Sequence, residues 1–238
     1  VPERVLNASS VILSTIDLTQ SPESRARLTA FLSPEESARA ARFGDELSRQ
    51  YFIACRARVR EILGDHLGEH PARLVIMADA NGKPFLPKHY GVHFNISHTG
   101  AAAVLAIAGS PVGVDIEKVR PLQEDVAARF FHQGEIDALA QWSGDEYWAA
   151  FYRVWTKKES FLKALGQGLR LPLDAFQLPA VPGAFHRLVS CAFDPGACAR
   201  FCIADFTLNG AIQGALCLET PESAFSLTIS TSPANGTS

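Results

Sequence analysis

No apolar run in this chain approaches the roughly 20 residues needed to cross a bilayer. The longest candidate, AAAVLAIAGSPVGV (101–114), is short and broken by glycine and proline. The N-terminus shows no charged-then-apolar leader pattern. Membrane insertion is therefore not expected. Basic excess is missing too: Lys+Arg number 22 against Asp+Glu 25, a formal net charge of -3. That argues against binding a nucleic-acid backbone, although a local basic cluster could still hold a small phosphorylated ligand. Cysteine is scarce and unpatterned. Cys55, Cys191, Cys198, Cys202 and Cys217 are an odd number with no CxxC pair, which reads as reduced thiols in a cytoplasmic protein rather than a disulfide frame.

What is present is apolar, 47% of 238 residues, enough for one large or two small cores. VILSTIDL (11–18) reads as a strand. SPEESARAARF (33–43) opens a helix with Ser33, Pro34 and two glutamates, and LSRQYFIACRARVREILGDHL (47–67) continues as a longer one, with Arg56 and Arg60 on one face. ARLVIMAD (72–79) is a predicted strand before the DANGKP turn. VHFNISHTG (92–100), AAAVLAIAG and GVDIEKV (113–119) follow as strands. PLQEDVAARFF and GEIDALAQW are short helices, and EYWAAFYRVWTKKESFLKALG (146–166) is a long helix ending at Gly166 or Gly168. The last third holds short strand-like runs, and TSPANGTS (231–238) reads as a disordered tail. Strands and helices alternate in two halves of similar make-up, predicting two related α/β lobes joined near Ser110–Pro111.

Three motifs bear on chemistry. In GVDIE, alternation along a strand sends Val114 and Ile116 to one face and Asp115 and Glu117 to the other, about 6.6 Å apart. Two carboxylates so placed suit a hard divalent cation; the plain alternative is a strand edge with surface charges. In WTKKESFLKALGQGL (155–169), Trp155, Glu159, Leu162 and Gly166 share a helix face, flanked by Lys158 and Lys163. Glu159 is either an i,i+4 partner of Lys163 or a third ligand or general base, with the lysines on phosphate oxygens. In FNISHTG (94–100), Ser97 and His98 sit at the end of a strand, where hydroxyl, imidazole and backbone N–H groups can hold a phosphate, or simply face solvent.

Taken together and in this order, FNISHTG, GVDIEKVRP and WTKKESFLKALGQGL resemble the signature of the 4'-phosphopantetheinyl transferase superfamily, in its monomeric two-lobe, Sfp-type class. GKP (82–84), RFF (129–131) and LPLD (171–174) extend the likeness over roughly residues 31–175. The resemblance implies an α+β fold of two pseudo-symmetric lobes, residues 1–111 and 112–238, each a small, mainly antiparallel sheet with a long helix packed on it. It implies transfer of 4'-phosphopantetheine from coenzyme A to a serine of an apo acyl or peptidyl carrier protein, releasing 3',5'-ADP. It further implies Mg²⁺, or Mn²⁺, on Asp115, Glu117 and Glu159, with Glu159 and Lys163 serving catalysis alongside Asp115. Coenzyme A would be held by Arg39, Arg49, Lys83, Ser97, His98, Lys158 and Lys163, and Arg60 is a further basic candidate. Glu36 departs from the pattern, standing where relatives can carry lysine. An acidic carrier would meet a patch near helices 121–142, where Arg129 lies with Phe130 and Phe131, the two phenylalanines themselves reading first as core packing. Two other readings stay open: a Mg²⁺-dependent phosphodiesterase, and a carrier-binding homologue without activity.

Overall fold

The computed structural model describes residues 6–166 and 171–231. In chain order the elements are β1 (Ser10–Asp17), α1 (Pro22–Thr29), α2 (Pro34–Ala40), α3 (Glu46–Leu67), β2 (Met77–Ala78), β3 (Pro84–Phe85), β4 (His93–Thr99), β5 (Ala102–Ala108) and β6 (Val112–Lys118). There follow α4 (Val126–Phe130), α5 (Gln133–Leu139), α6 (Gly144–Leu165), β7 (Phe176–Gln177), β8 (Ser190–Cys191), α7 (Ala197–Arg200), β9 (Phe201–Leu208), β10 (Ile212–Glu219) and β11 (Ser226–Thr231).

Two sheets and two long helices make the frame. One sheet runs β11-β1-β5-β4 and the other β6-β10-β9. Every pairing in them is antiparallel except β1 with β11, which is parallel. Helix α3 covers the first sheet and α6 the second. Each is 22 residues long and stops at a glycine in the left-handed region, Gly68 (φ 70°) and Gly166 (φ 73°), a conformation that costs glycine little.

Alternation along β5 explains why it is apolar throughout. Leu105 and Ile107 point to the core under α3, while Val104, Ala106 and Ala108 enter a core shared between the two sheets. Val112, Val114 and Ile116 of β6 enter that same core, with Leu216 and Leu218 of β10. The molecule is thus layered as helix, sheet, shared core, sheet, helix. Burial of the valines, leucines and isoleucines among these supplies the main driving force, about 1.5–3 kcal/mol each.

The structure departs from the sequence reading in three places. The stretch 72–79 is not one strand: Pro71 starts a 3₁₀ turn, and only Met77–Ala78 pairs, with Pro84–Phe85. Helix α1 was not expected, although Ser21 and Pro22 repeat the Ser-Pro start of α2, and Ser21 caps Ser24 N. Strand β11, not named from the sequence, lies beside β1, so residues 226–231 join the sheet of β1, β5 and β4. The tail expected to be disordered lies outside the described residues from 232 onward, as does Gly168.

Candidate active site

Asp115 and Glu117 project from β6 on the face opposite the shared core, toward α6. Gly113 lies two residues earlier on that same face. A Cβ there would stand 2.0 Å from Ser160 O and 2.4 Å from Ala164 N, so glycine lets α6 lie directly on β6. That approach brings Glu159 and Lys163 over the strand. With Ile96, Ser97 and His98 from β4 and Trp155 from α6, they line a cleft of about 350 Å³.

The charges in this cleft are unbalanced. Among the described residues, three carboxylates line it with one ammonium. Lys163 Nζ donates to Asp115 Oδ1 at 2.6 Å, to Ser97 Oγ at 3.1 Å and to Val114 O at 3.2 Å. Asp115 is buried, at 4% exposure, and its Oδ2 has no hydrogen-bond partner among the described residues. Burial first, and Asp115 second, push the Glu159 carboxyl up to about 6 and raise Glu117 as well. Thr99 Oγ1 donates to Glu117 Oε2 at 3.5 Å. Partial desolvation, then the Lys163 ammonium, lower the pKa of His98.

Among the described residues, no three His, Cys, Asp or Glu side chains are gathered as a ready metal cluster. The donor set nonetheless fits a hard divalent cation. Among the described residues, its carboxylates offer oxygen ligands, it carries surplus negative charge, and one buried carboxylate oxygen is left without a hydrogen-bond partner.

Beside the cleft, and sharing Ile96 and His98 with it, is a larger cavity of about 620 Å³ between α2, α3 and β4. Phe43, Tyr51 and Phe52 form apolar walls, and Arg39 and Arg56 bring positive charge. The Arg39 guanidinium stands 5.3 Å over the Phe52 ring. An aromatic-walled trough with two guanidiniums, opening onto a carboxylate cleft, can take a planar base and phosphates.

Not every basic residue nominated from sequence reaches this trough. Lys158 is fully buried. Its ammonium pairs with Glu135 Oε2 at 2.8 Å and donates to the carbonyls of Leu173 and Phe176. One residue before Glu159, it lies about 100° round the helix and faces the core. Ser97 is turned to the carboxylates instead of the trough, because β4 alternates. Its hydroxyl donates to Asp115 Oδ1 at 2.9 Å and accepts from Ile116 N and Lys163 Nζ, which uses its full capacity. Arg49 is exposed and pairs with Glu46 three residues away. Arg60 is buried against Glu36 and the carbonyls of Pro71 and Leu74. Lys83 donates to the carbonyl of Lys163 at the end of α6, and burial lowers its pKa. Arg39, His98, Asp115, Glu117, Glu159 and Lys163 do line the two cavities.

Glu36 has its own explanation. It closes a capping box with Ser33 and takes Arg56 at 2.9 Å and Arg60 at 2.6 Å, so it organises the basic wall of the trough. Phe131 is core, stacked on Phe151 at 5.2 Å, whereas Arg129 lies over the Phe130 ring. Arg56, Phe43, Tyr51 and Phe52 were missed as trough residues. Arg56 could have been suspected from its place in a helix face of arginines.

Comparison with known proteins identifies a family. The profile of the 4'-phosphopantetheinyl transferase superfamily matches residues 111–216, and that of the 4'-phosphopantetheinyl transferase N-terminal region matches 19–110. The chain is 34% identical to 4'-phosphopantetheinyl transferase Sfp of Bacillus subtilis (strain 168) over 163 residues, 68% of this chain and 73% of that one. It is 37% identical to 4'-phosphopantetheinyl transferase HetI of Nostoc over 188 residues, 76% of this chain and 78% of that one. The crystal structure of Thermotoga maritima holo-[acyl-carrier-protein] synthase overlaps 48% of this chain and 64% of its own, with a TM-score of 0.37 and 21% identity, too little to carry an argument.

Proposed function

The chain belongs to the 4'-phosphopantetheinyl transferase superfamily, and we propose that it moves the 4'-phosphopantetheine group of coenzyme A to a serine hydroxyl of an apo carrier protein, releasing 3',5'-ADP. The observation that carries this reading is the cleft itself. Among the described residues, Asp115, Glu117 and Glu159 face one ammonium, with Asp115 Oδ2 buried and partnerless, next to an aromatic and cationic trough.

The trough would take the nucleotide, with Arg39, Arg56 and His98 near its phosphates. Asp115, Glu117 and Glu159 would hold Mg²⁺, which when bound neutralises charge on the pyrophosphate. The serine oxygen attacks the β-phosphorus of coenzyme A, and the bond from that phosphorus to the bridging oxygen breaks. Such transfers depend mostly on positioning and charge stabilisation. Lys163 already touches Asp115, Ser97 and the Val114 carbonyl, and it is placed to stabilise the departing phosphate. Glu159, on the helix rather than the strand, is the carboxylate we assign to receive the serine proton. One chain supplies every wall of the cleft, so we take the monomer as the working unit. An acidic carrier would approach over Arg129 and neighbouring residues.

The test is release of 3',5'-ADP from coenzyme A, followed by chromatography in the presence and absence of an apo carrier. Release that requires the carrier and disappears in Asp115→Ala supports the reading. Release of free phosphopantetheine without carrier would make the protein a hydrolase instead.

A further inference from the structure

Strands β4 and β6 meet at the lobe junction as edges of two different sheets. A buried edge strand must find partners for its N–H groups. Those of β6 find side chains. Asn95 Oδ1 accepts from Val114 N at 2.9 Å, Ser97 Oγ from Ile116 N at 3.3 Å and Thr99 Oγ1 from Lys118 N at 3.4 Å. Three alternate residues on one face of β4 thus stand in for the carbonyls of a missing ladder.

The three rungs are not equivalent. Ser97 also bonds Asp115 and Lys163, and Thr99 also bonds Glu117. Asn95 is buried, at 4% exposure, makes the shortest rung, and has no side-chain bond to the carboxylates or to Lys163. Yet Val114, which it holds by the N–H, presents its carbonyl to Lys163 Nζ at 3.2 Å, and the next residue is Asp115. Resting on the function proposed above, we propose that Asn95 is a positioning residue for the transfer. Through Val114 it fixes β6 against β4, and so fixes Asp115 relative to Lys163 and Glu159 on α6.

Threonine and valine at this position separate the acceptor from the packing. The two are nearly isosteric and suit a strand, and Thr99 already serves as a rung two turns of the pleat further on. The experiment compares Asn95→Thr and Asn95→Val with the parent. It measures Mn²⁺ affinity by calorimetry without coenzyme A, kcat and KM for coenzyme A, and amide exchange at Val114. Supporting groups behind a metal ligand typically contribute 10- to 100-fold. Asn95→Val should therefore weaken Mn²⁺ binding and lower kcat by at least about tenfold, with KM for coenzyme A within about twofold. Asn95→Thr should stay within about threefold of the parent throughout. If Asn95→Val does not fold, Asn95→Ala is read in its place. A valine variant with faster Val114 exchange but parental Mn²⁺ affinity and kcat overturns the inference, since the bond would then be structural only. That result is distinct from a parent that neither binds Mn²⁺ nor transfers, which would take down the proposed function and this inference with it.

Discussion

Lys163 Nζ stands 2.6 Å from Asp115 Oδ1, joining helix α6 to strand β6 through an aspartate whose side chain is 5% exposed. Removing the ammonium strands a buried carboxylate. Lys163→Met should cost on the order of 2–4 kcal/mol, reduced from a fully buried pair because Lys163 is partly exposed. Adding Asp115→Asn to it should recover much of that stability while transfer stays down at least about 100-fold. Urea unfolding and transfer rates on the two singles and the double check this. Additive losses in stability would mean that the pair is not coupled.

Gly113 sets the distance between the same two elements. Its absent side chain leaves room for the backbone of Ser160 and Ala164. These are main-chain atoms inside a helix and cannot swing aside. Gly113→Ala should push α6 off β6, lower stability by about 1–3 kcal/mol and cut transfer far more than that loss explains at temperatures where the variant is folded. Parental activity in a folded Gly113→Ala protein would contradict the close-approach account.

Lys158 is a structural cation. Lys158→Met leaves Glu135 buried and unpaired beside Leu178 N and His132 N, both of which it accepts from. A loss of about 3–5 kcal/mol is expected. KM for coenzyme A in the remaining folded protein should change by less than about threefold. A large rise in KM with little loss of stability would return Lys158 to the binding site.

Lys157 gives a pH signature away from the cleft. Its ammonium is buried against Asp205 Oδ2 at 3.2 Å and the carbonyls of Pro179 and Val181. Burial pulls its pKa from 10.5 down to about 8, against the opposing pull of Asp205. Between about pH 8 and 10.5 the unfolded chain therefore binds more protons at this group than the folded chain does. Its contribution to stability then rises with pH. The stability of the parent relative to Lys157→Met should increase by on the order of 1–3 kcal/mol from pH 7.5 to 10. Equal shifts in both proteins, measured by urea unfolding, would show that Lys157 does not titrate there.

Much of this was legible along the chain because periodicity reports on faces. Alternation in β6 separated Asp115 and Glu117 from Val114 and Ile116, and the structure sends the second pair into the shared core. The helical period placed Trp155 and Glu159 together, and both line the cleft. Charge alone was the weaker guide. Lys158, Arg60 and Arg49 carry the right sign, but a sign does not reveal the partner. Glu135 lies 23 positions before Lys158 and Glu36 lies 24 before Arg60, so only folding pairs them. The return of β11 to the first sheet was hidden for a similar reason: its partner strand is more than two hundred residues away.

The central claim is that this cleft moves phosphopantetheine with a divalent cation on Asp115, Glu117 and Glu159. The most direct measurement is intact-mass spectrometry of an apo carrier protein incubated with this protein, coenzyme A and Mg²⁺, repeated with EDTA and with Asp115→Ala. The account predicts a carrier heavier by one phosphopantetheine, with the gain lost in both controls. A mass gain that survives EDTA and the Asp115→Ala substitution would contradict it.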